Sequence, residues 1–346
     1  MPVIVSADRR AFLSTFGLGL SSSAFPGLVW AELEEGRATR VTREMLLHAA
    51  QVAGLAFTDH ELDEMLAGVE QTLQACEELR RVSLENGVAP PLYFNPIVPG
   101  MAIDRAKRPL RASRPPRVAR PANLEETAFW PVVQLAELVR TRQVSSRELT
   151  EMYLARLKRH GPRLACVVTL TEDLALRQAH EADREIAAGR YRGPLHGVPW
   201  GVKDLFSARG YPTTWGAAPF KTRVIDVDAT VVSRLHAAGA VLVAKLATGE
   251  LALDDVWFGG QTKNPWDPTQ GSSGSSAGPS SATAAGCVGF AIGTETSGSI
   301  LSPAARCGLA GLRPTFGRIS RYGVMALSWT QDRLGPLCRY VEDCAI

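Results

Sequence analysis

Two clusters of small, hydroxyl-bearing residues are where this chain could do chemistry. The first, Gly271-Ser272-Ser273-Gly274-Ser275-Ser276-Ala277-Gly278, lies in QGSSGSSAGPSSATAAG at 270–286, a stretch built almost wholly of glycine, serine and alanine. The second, Gly293-Thr294-Glu295-Thr296-Ser297-Gly298-Ser299-Ile300, follows the apolar run CVGFAIG. Such composition suits a flexible linker. It suits a catalytic loop equally, because glycine lets a backbone turn tightly and serine becomes a nucleophile once a base takes its proton.

Several familiar arrangements fail on context. Gly274-Ser275-Ser276-Ala277-Gly278 matches G-x-S-x-G, yet that elbow needs a strand before the serine and a histidine after it. Here Asn264-Pro265-Trp266-Asp267-Pro268 precedes the run and no histidine follows His236. No glycine-rich loop ends in G-K-[ST], which excludes a phosphate-binding P-loop, and no lysine has a serine three residues before it. A buried lysine kept neutral by desolvation is the remaining base. Lys203, in Gly197-Val198-Pro199-Trp200-Gly201-Val202-Lys203-Asp204-Leu205-Phe206, ends an apolar run and fits. The residues alone leave open a second reading, in which Lys203 pairs with Asp204 at a strand end. Successive N–H groups turned inward by the second cluster would stabilise an oxyanion by roughly 3 kcal/mol each.

GVPWGVKDLF, the Gly/Ser run at 271–281, NPWDP and TETSGSILSPAARCGLAGLRPTFGRISRYGV together resemble the amidase signature family, over roughly 123–346. The resemblance implies a triad of Ser, a bridging Ser on a cis peptide, and Lys that cleaves amides through an acyl-enzyme. Carried over residue by residue, Lys203 matches the base, Ser275 the bridging serine and Ser299 the nucleophile, with oxyanion-hole N–H groups from Thr296, Ser297 and Gly298. The implied partner is a small-molecule amide, with no cofactor and no metal, and a homodimer is left open. The chain departs from the family at Glu295 (usually Asp), Ser297 (Gly), Leu301 (Arg) and Ser273 (Gly). The family's domain normally continues well past this signature, so the expected fold is an incomplete one. A related reading is the A subunit of a tRNA-dependent amidotransferase; a third, from another class, is an inactive truncated amidase acting as an interaction protein.

The elements that must position these residues follow from periodicity. Beyond Asn123, helical patterns at 132–142, 146–159, 172–188 and 229–238 alternate with strand-like runs at 164–170, 198–202, 240–245 and 287–293. Ser145 with Glu148 makes a capping box, and RYVEDCAI opens another helix. This predicts an α/β domain over 123–346, and the family resemblance implies a mixed sheet flanked by helices. Upstream, Leu62, Met65, Leu66, Val69, Leu73 and Cys76 recur at helical spacing and Thr58 with Glu61 forms a second capping box, so 32–88 reads as a helical docking segment. It resembles the small C subunit of the tRNA-dependent amidotransferases in Val41-Thr42-Arg43-Glu44 through Leu62-Asp63-Glu64-Met65.

Between them, 89–122 is a proline-rich connector with seven basic residues (Arg105, Lys107, Arg108, Arg111, Arg114, Arg117, Arg120) and one acid, Asp104. It lacks the interleaved aromatics that stack on bases, and the whole chain carries a net charge of only +3, so nucleic acid is not an expected partner. Residues 1–31 read as an export signal: Arg9-Arg10-Ala11-Phe12-Leu13 precedes a short, Gly/Ser-diluted apolar run, the pattern of the twin-arginine type. That run is too short and polar for a stable membrane span, and the expected location is periplasmic or extracellular, with the cytoplasm as the alternative. The six cysteines form no CxxC pair and fit buried thiols better than a metal site.

Overall fold

The structure is a computed structural model that describes residues 41–83, 97, 100–104, 106, 113 and 117–346. The expected signal segment, 1–31, lies outside the described residues, as does much of the basic connector. The chain forms two compact units that divide between Pro90 and Pro91.

The first unit is a helical pair. Helix α1 (Arg43–Val52) starts where the Thr42 hydroxyl accepts the Met45 N–H at 3.2 Å. Helix α2 (Asp59–Arg80) starts at the expected capping box: the Thr58 N–H donates to the Glu61 carboxylate at 2.7 Å and the Glu61 N–H donates back at 3.3 Å. Leu46, Ala50 and Leu62 are buried, whereas Met65, Leu66, Val69 and Leu73 are half-buried and Cys76 is exposed.

The second unit is mixed α/β. In chain order it holds helices α3 (Val132–Arg140) and α4 (Ser146–Leu164), strand β1 (Val167–Leu170), helix α5 (Glu172–Ala187), strand β2 (Pro199–Lys203), helix α6 (Thr230–Ala237) and strand β3 (Val241–Leu246). A small hairpin follows, β4 (Val256–Trp257) and β5 (Gly260–Gln261), then helix α7 (Ala277–Ala284) and strand β6 (Phe290–Glu295). Helix α8 (Leu301–Cys307), strands β7 (Ala310–Gly311) and β8 (Arg333–Cys338) and helix α9 (Val341–Ala345) complete it. The large sheet runs β1-β3-β2-β6-β8-β7, with β3, β2 and β6 parallel and the outer pairings antiparallel. Every residue of β2 and β3 is buried, as befits parallel strands covered on both faces. Trp200 stacks on Phe290 across the β2–β6 seam, ring centres 5.9 Å apart.

Two elements differ from the sequence expectation. Helix α4 runs five residues past the expected end at 159, through Gly161 and Pro162, and stops at Ala165 in a left-handed conformation (φ 47°). The first strand is correspondingly short. Within the Gly/Ser run, residues 277–284 form helix α7 rather than a loop, and all eight are buried. The small side chains let this helix lie against the sheet: a Cβ on Gly278 would meet the backbone of Ala247 and, at 2.6 Å, the Cys166 carbonyl oxygen. Pro279 sits in the first turn, where its missing N–H costs nothing.

Gly278→Ala therefore forces helix and strand backbones apart. We expect a loss of about 2 kcal/mol or more and a melting temperature lowered by about 5 °C, measured by thermal unfolding; an unchanged transition would refute the close-packing account.

Candidate active site

Strand β2 ends by placing consecutive charged residues on opposite faces, because successive strand side chains alternate. Asp204 goes to Lys245 on β3, carboxylate to ammonium at 2.6 Å, with both side chains fully buried. The Thr214 N–H and hydroxyl donate to the other Asp204 oxygen, the former at 2.9 Å. The pairing of Lys203 with Asp204 left open by the sequence is thus excluded: the Asp204 partner is Lys245. Lys203 faces the other way, fully buried, its Nζ within hydrogen-bonding distance, 2.8 Å, of both the Ser275 and the Thr294 hydroxyl oxygens. Burial pushes the Lys203 amine well below the usual lysine range, while the charges of Asp332 and Glu295 work against that shift.

Ser275 reaches this lysine from the first cluster. It is almost fully buried, and the Gly274–Ser275 peptide bond is cis. Its neighbour Ser276 joins the two clusters. The Ser276 hydroxyl donates to the Thr294 carbonyl at 3.0 Å and accepts the Thr294 N–H at 3.2 Å, and the Ser276 N–H donates to the Ser299 carbonyl at 3.0 Å. This approach requires Gly293, where a Cβ would lie 2.5 Å from the Ser276 hydroxyl. The structure therefore brings Lys203 and Ser275 into direct contact and sets the backbone of half-buried Ser299 against the residue after Ser275.

The second cluster turns sharply between β6 and α8, with Gly298 at φ 98°. Among the described residues, the N–H groups of Thr296, Ser297 and Gly298 donate to no protein acceptor. The departures from the family pattern find places here. Glu295 is buried; one carboxylate oxygen accepts the Ile300 and Leu301 N–H groups, each at 2.8 Å, and the other pairs with Arg313 Nε at 2.7 Å. Its extra methylene helps it span the loop. Ser297 is exposed and outside the positive-φ region, so its side chain meets no backbone penalty. Ser273 does take a positive φ, 62°, a conformation that favours glycine; its N–H donates to Asp255 at 2.9 Å and its hydroxyl bonds Ser302 at 2.7 Å. Leu301 is 44% exposed beside the loop. Thr294, Ser276 and Asp332 were not singled out in the sequence. The first two adjoin motif residues, whereas nothing in the local pattern marks Asp332.

Residues 148–346, more than half of the chain, match the family described as Amidase. The chain belongs to the amidase family. The chain is 43% identical over 218 residues to the A subunit of the glutamyl-tRNA(Gln) amidotransferase of Methylococcus capsulatus, covering 62% of this chain and 45% of that protein. Among solved structures, the peptide amidase of Stenotrophomonas maltophilia superposes with a TM-score of 0.61 at 41% identity, over 64% of this chain and 47% of that one. Fatty acid amide hydrolase superposes with a TM-score of 0.60 at 28% identity, over 64% and 40%. The chain thus spans about half the length, or less, of the relatives it matches.

The Lys203 site has a consequence for stability. An amine whose protonation is disfavoured in the fold, but ordinary (near 10.5) when unfolded, makes folding release a proton, so its contribution improves as pH rises toward 10.5. Lys203→Met removes that dependence. In urea unfolding the wild type should gain on the Met variant from about pH 7 to about pH 9; parallel pH profiles would contradict a desolvated amine.

Proposed function

We propose that this amidase-family chain hydrolyses a carbon–nitrogen amide bond of a small molecule through a seryl acyl-enzyme, with Ser299 as nucleophile, Ser275 as relay and Lys203 as base. The observation that carries the reading is the buried Lys203 amine bonded to Ser275 at 2.8 Å. A neutral amine has one lone pair, so Nζ accepts the Ser275 proton while its N–H donates to Thr294. Ser275 in turn accepts the proton of Ser299, whose oxygen attacks the amide carbonyl. The oxyanion lies against the N–H groups of Thr296, Ser297 and Gly298. The proton returns through Ser275 to the departing amine, and water then attacks the ester by the same relay to release the acid and restore Ser299.

A second reading, the A subunit of a tRNA-dependent amidotransferase, is favoured by the 43% identity to one such protein. The twin-arginine pattern at Arg9-Arg10 favours the free amidase, exported from the cytoplasm, since charged tRNA is cytoplasmic.

The test is covalent labelling of the 346-residue chain with a fluorophosphonate, followed by peptide mass mapping. Label is expected on Ser299, abolished in Ser299→Ala and slowed about a hundredfold to ten-thousandfold in Ser275→Ala. A folded, unlabelled wild type would instead support an inactive interaction protein.

A further inference from the structure

We propose that Asp332 is a positioning residue of this site: it clamps the Thr296–Gly298 loop to the turn at Leu327–Ser328, holding the loop N–H groups in their working orientation. The inference rests on the acyl-enzyme reading above. Asp332 is buried just before β8. One carboxylate oxygen accepts the Thr296 hydroxyl at 2.7 Å and the Ser328 N–H at 3.1 Å. The other accepts the Leu327 N–H at 2.7 Å and the same Ser328 N–H at 3.0 Å. A single carboxylate therefore ties three donors from two segments that no strand ladder joins.

Thr296 needs such a restraint. The loop has no ladder partner beyond the Glu295–Arg333 register pair, and Gly298 gives it conformational freedom. On its far side Glu295 holds the Ile300 and Leu301 N–H groups at 2.8 Å. Asp332 fixes the near end and Glu295 the far end, and the intervening N–H groups, which donate to no acceptor among the described residues, lie between two anchored points. Donors held in place before reaction are what an oxyanion site requires, because reorientation during the reaction would consume the stabilisation they supply. Asp332 touches no reacting atom in this arrangement; it acts through Thr296. It also places a negative charge near Lys203, alongside that of Glu295, with Arg333 near both carboxylates and Arg313 paired to Glu295.

The experiment measures the fluorophosphonate labelling rate against pH for wild type, Thr296→Val, Asp332→Asn, Asp332→Ala and the Thr296→Val/Asp332→Ala double variant, with thermal unfolding of each. Thr296→Val and Asp332→Ala should each slow labelling about tenfold to a hundredfold, and the double variant should be no slower than the worse single one, since both remove the same bond. Asp332→Asn keeps an acceptor but not the charge. It should retain more rate than Asp332→Ala and move the acid limb of the profile to lower pH, because loss of a negative charge makes Lys203 easier to deprotonate. If Asp332→Ala does not fold, Thr296→Val and Asp332→Asn decide alone. Additive losses, or wild-type rates and an unmoved acid limb in those two variants, would overturn the proposal. A wild type that takes no label would overturn the acyl-enzyme reading and this inference with it, a result distinct from labelled variants that behave like wild type.

Discussion

The amine of Lys203, withdrawn from water and held between two hydroxyls, is the constraint from which the rest of this architecture follows. An isolated ammonium costs several kcal/mol to bury. The fold meets that cost by weakening the protonated form and by supplying the Ser275 and Thr294 hydroxyls at 2.8 Å each. Both partners depend on the sheet. The parallel register pairs Val202 with Ile292, so the end of β2 lies beside the end of β6 that carries Thr294. Strand alternation sends Asp204 to the opposite face, where Lys245 satisfies it. Two lysines enter one core on adjacent strands, one paired with a carboxylate and one not, and the unpaired one faces Ser275 and Thr294.

Close approach of backbone segments is the second requirement, and it explains the composition of the Gly/Ser stretch better than flexibility does. Residues 277–284 are small because a buried helix rests there on β3, with the Ala247 backbone and the Cys166 carbonyl at the position a Gly278 Cβ would need. Gly293 is small because the Ser276 hydroxyl occupies the space beside it. The stretch is among the most thoroughly buried in the unit. A linker would have the same letters and the opposite burial.

Much of this was legible in the sequence. Lys203 announced itself as a lysine at the end of an apolar run, and strand and helix periodicity placed β2, β3 and β6 close to where they lie. What was not legible is equally instructive. Spacing alone could not say whether Asp204 pairs with Lys203, because the true partner, Lys245, is 41 residues away from it in sequence (245 − 204) and joins it only through sheet pairing. Helix α7 was hidden because small side chains, buried on every face, erase the amphipathic pattern on which helix recognition rests. Strand β8 was missed because it contains Gly335 and Pro336. With it went Asp332, whose importance is a matter of where β8 docks and not of any local motif.

The departures from the family pattern show how a site can absorb substitutions that look damaging one at a time. Glu for Asp at 295 lengthens an acid beside the reactive loop, yet the longer side chain reaches two backbone N–H groups and Arg313 together. Serine for glycine at 273 enters a left-handed backbone position, where a side chain costs about 1 kcal/mol or more, and its N–H and hydroxyl both find partners that offset part of that cost. Leucine for arginine at 301 is of a different kind: it rebuilds no bond and leaves an apolar side chain partly in solvent at the edge of the loop. The first two changes adjust how the loop is held. At Leu301 it is the backbone N–H that the Glu295 carboxylate holds, at 2.8 Å, so the change of side chain leaves that bond in place.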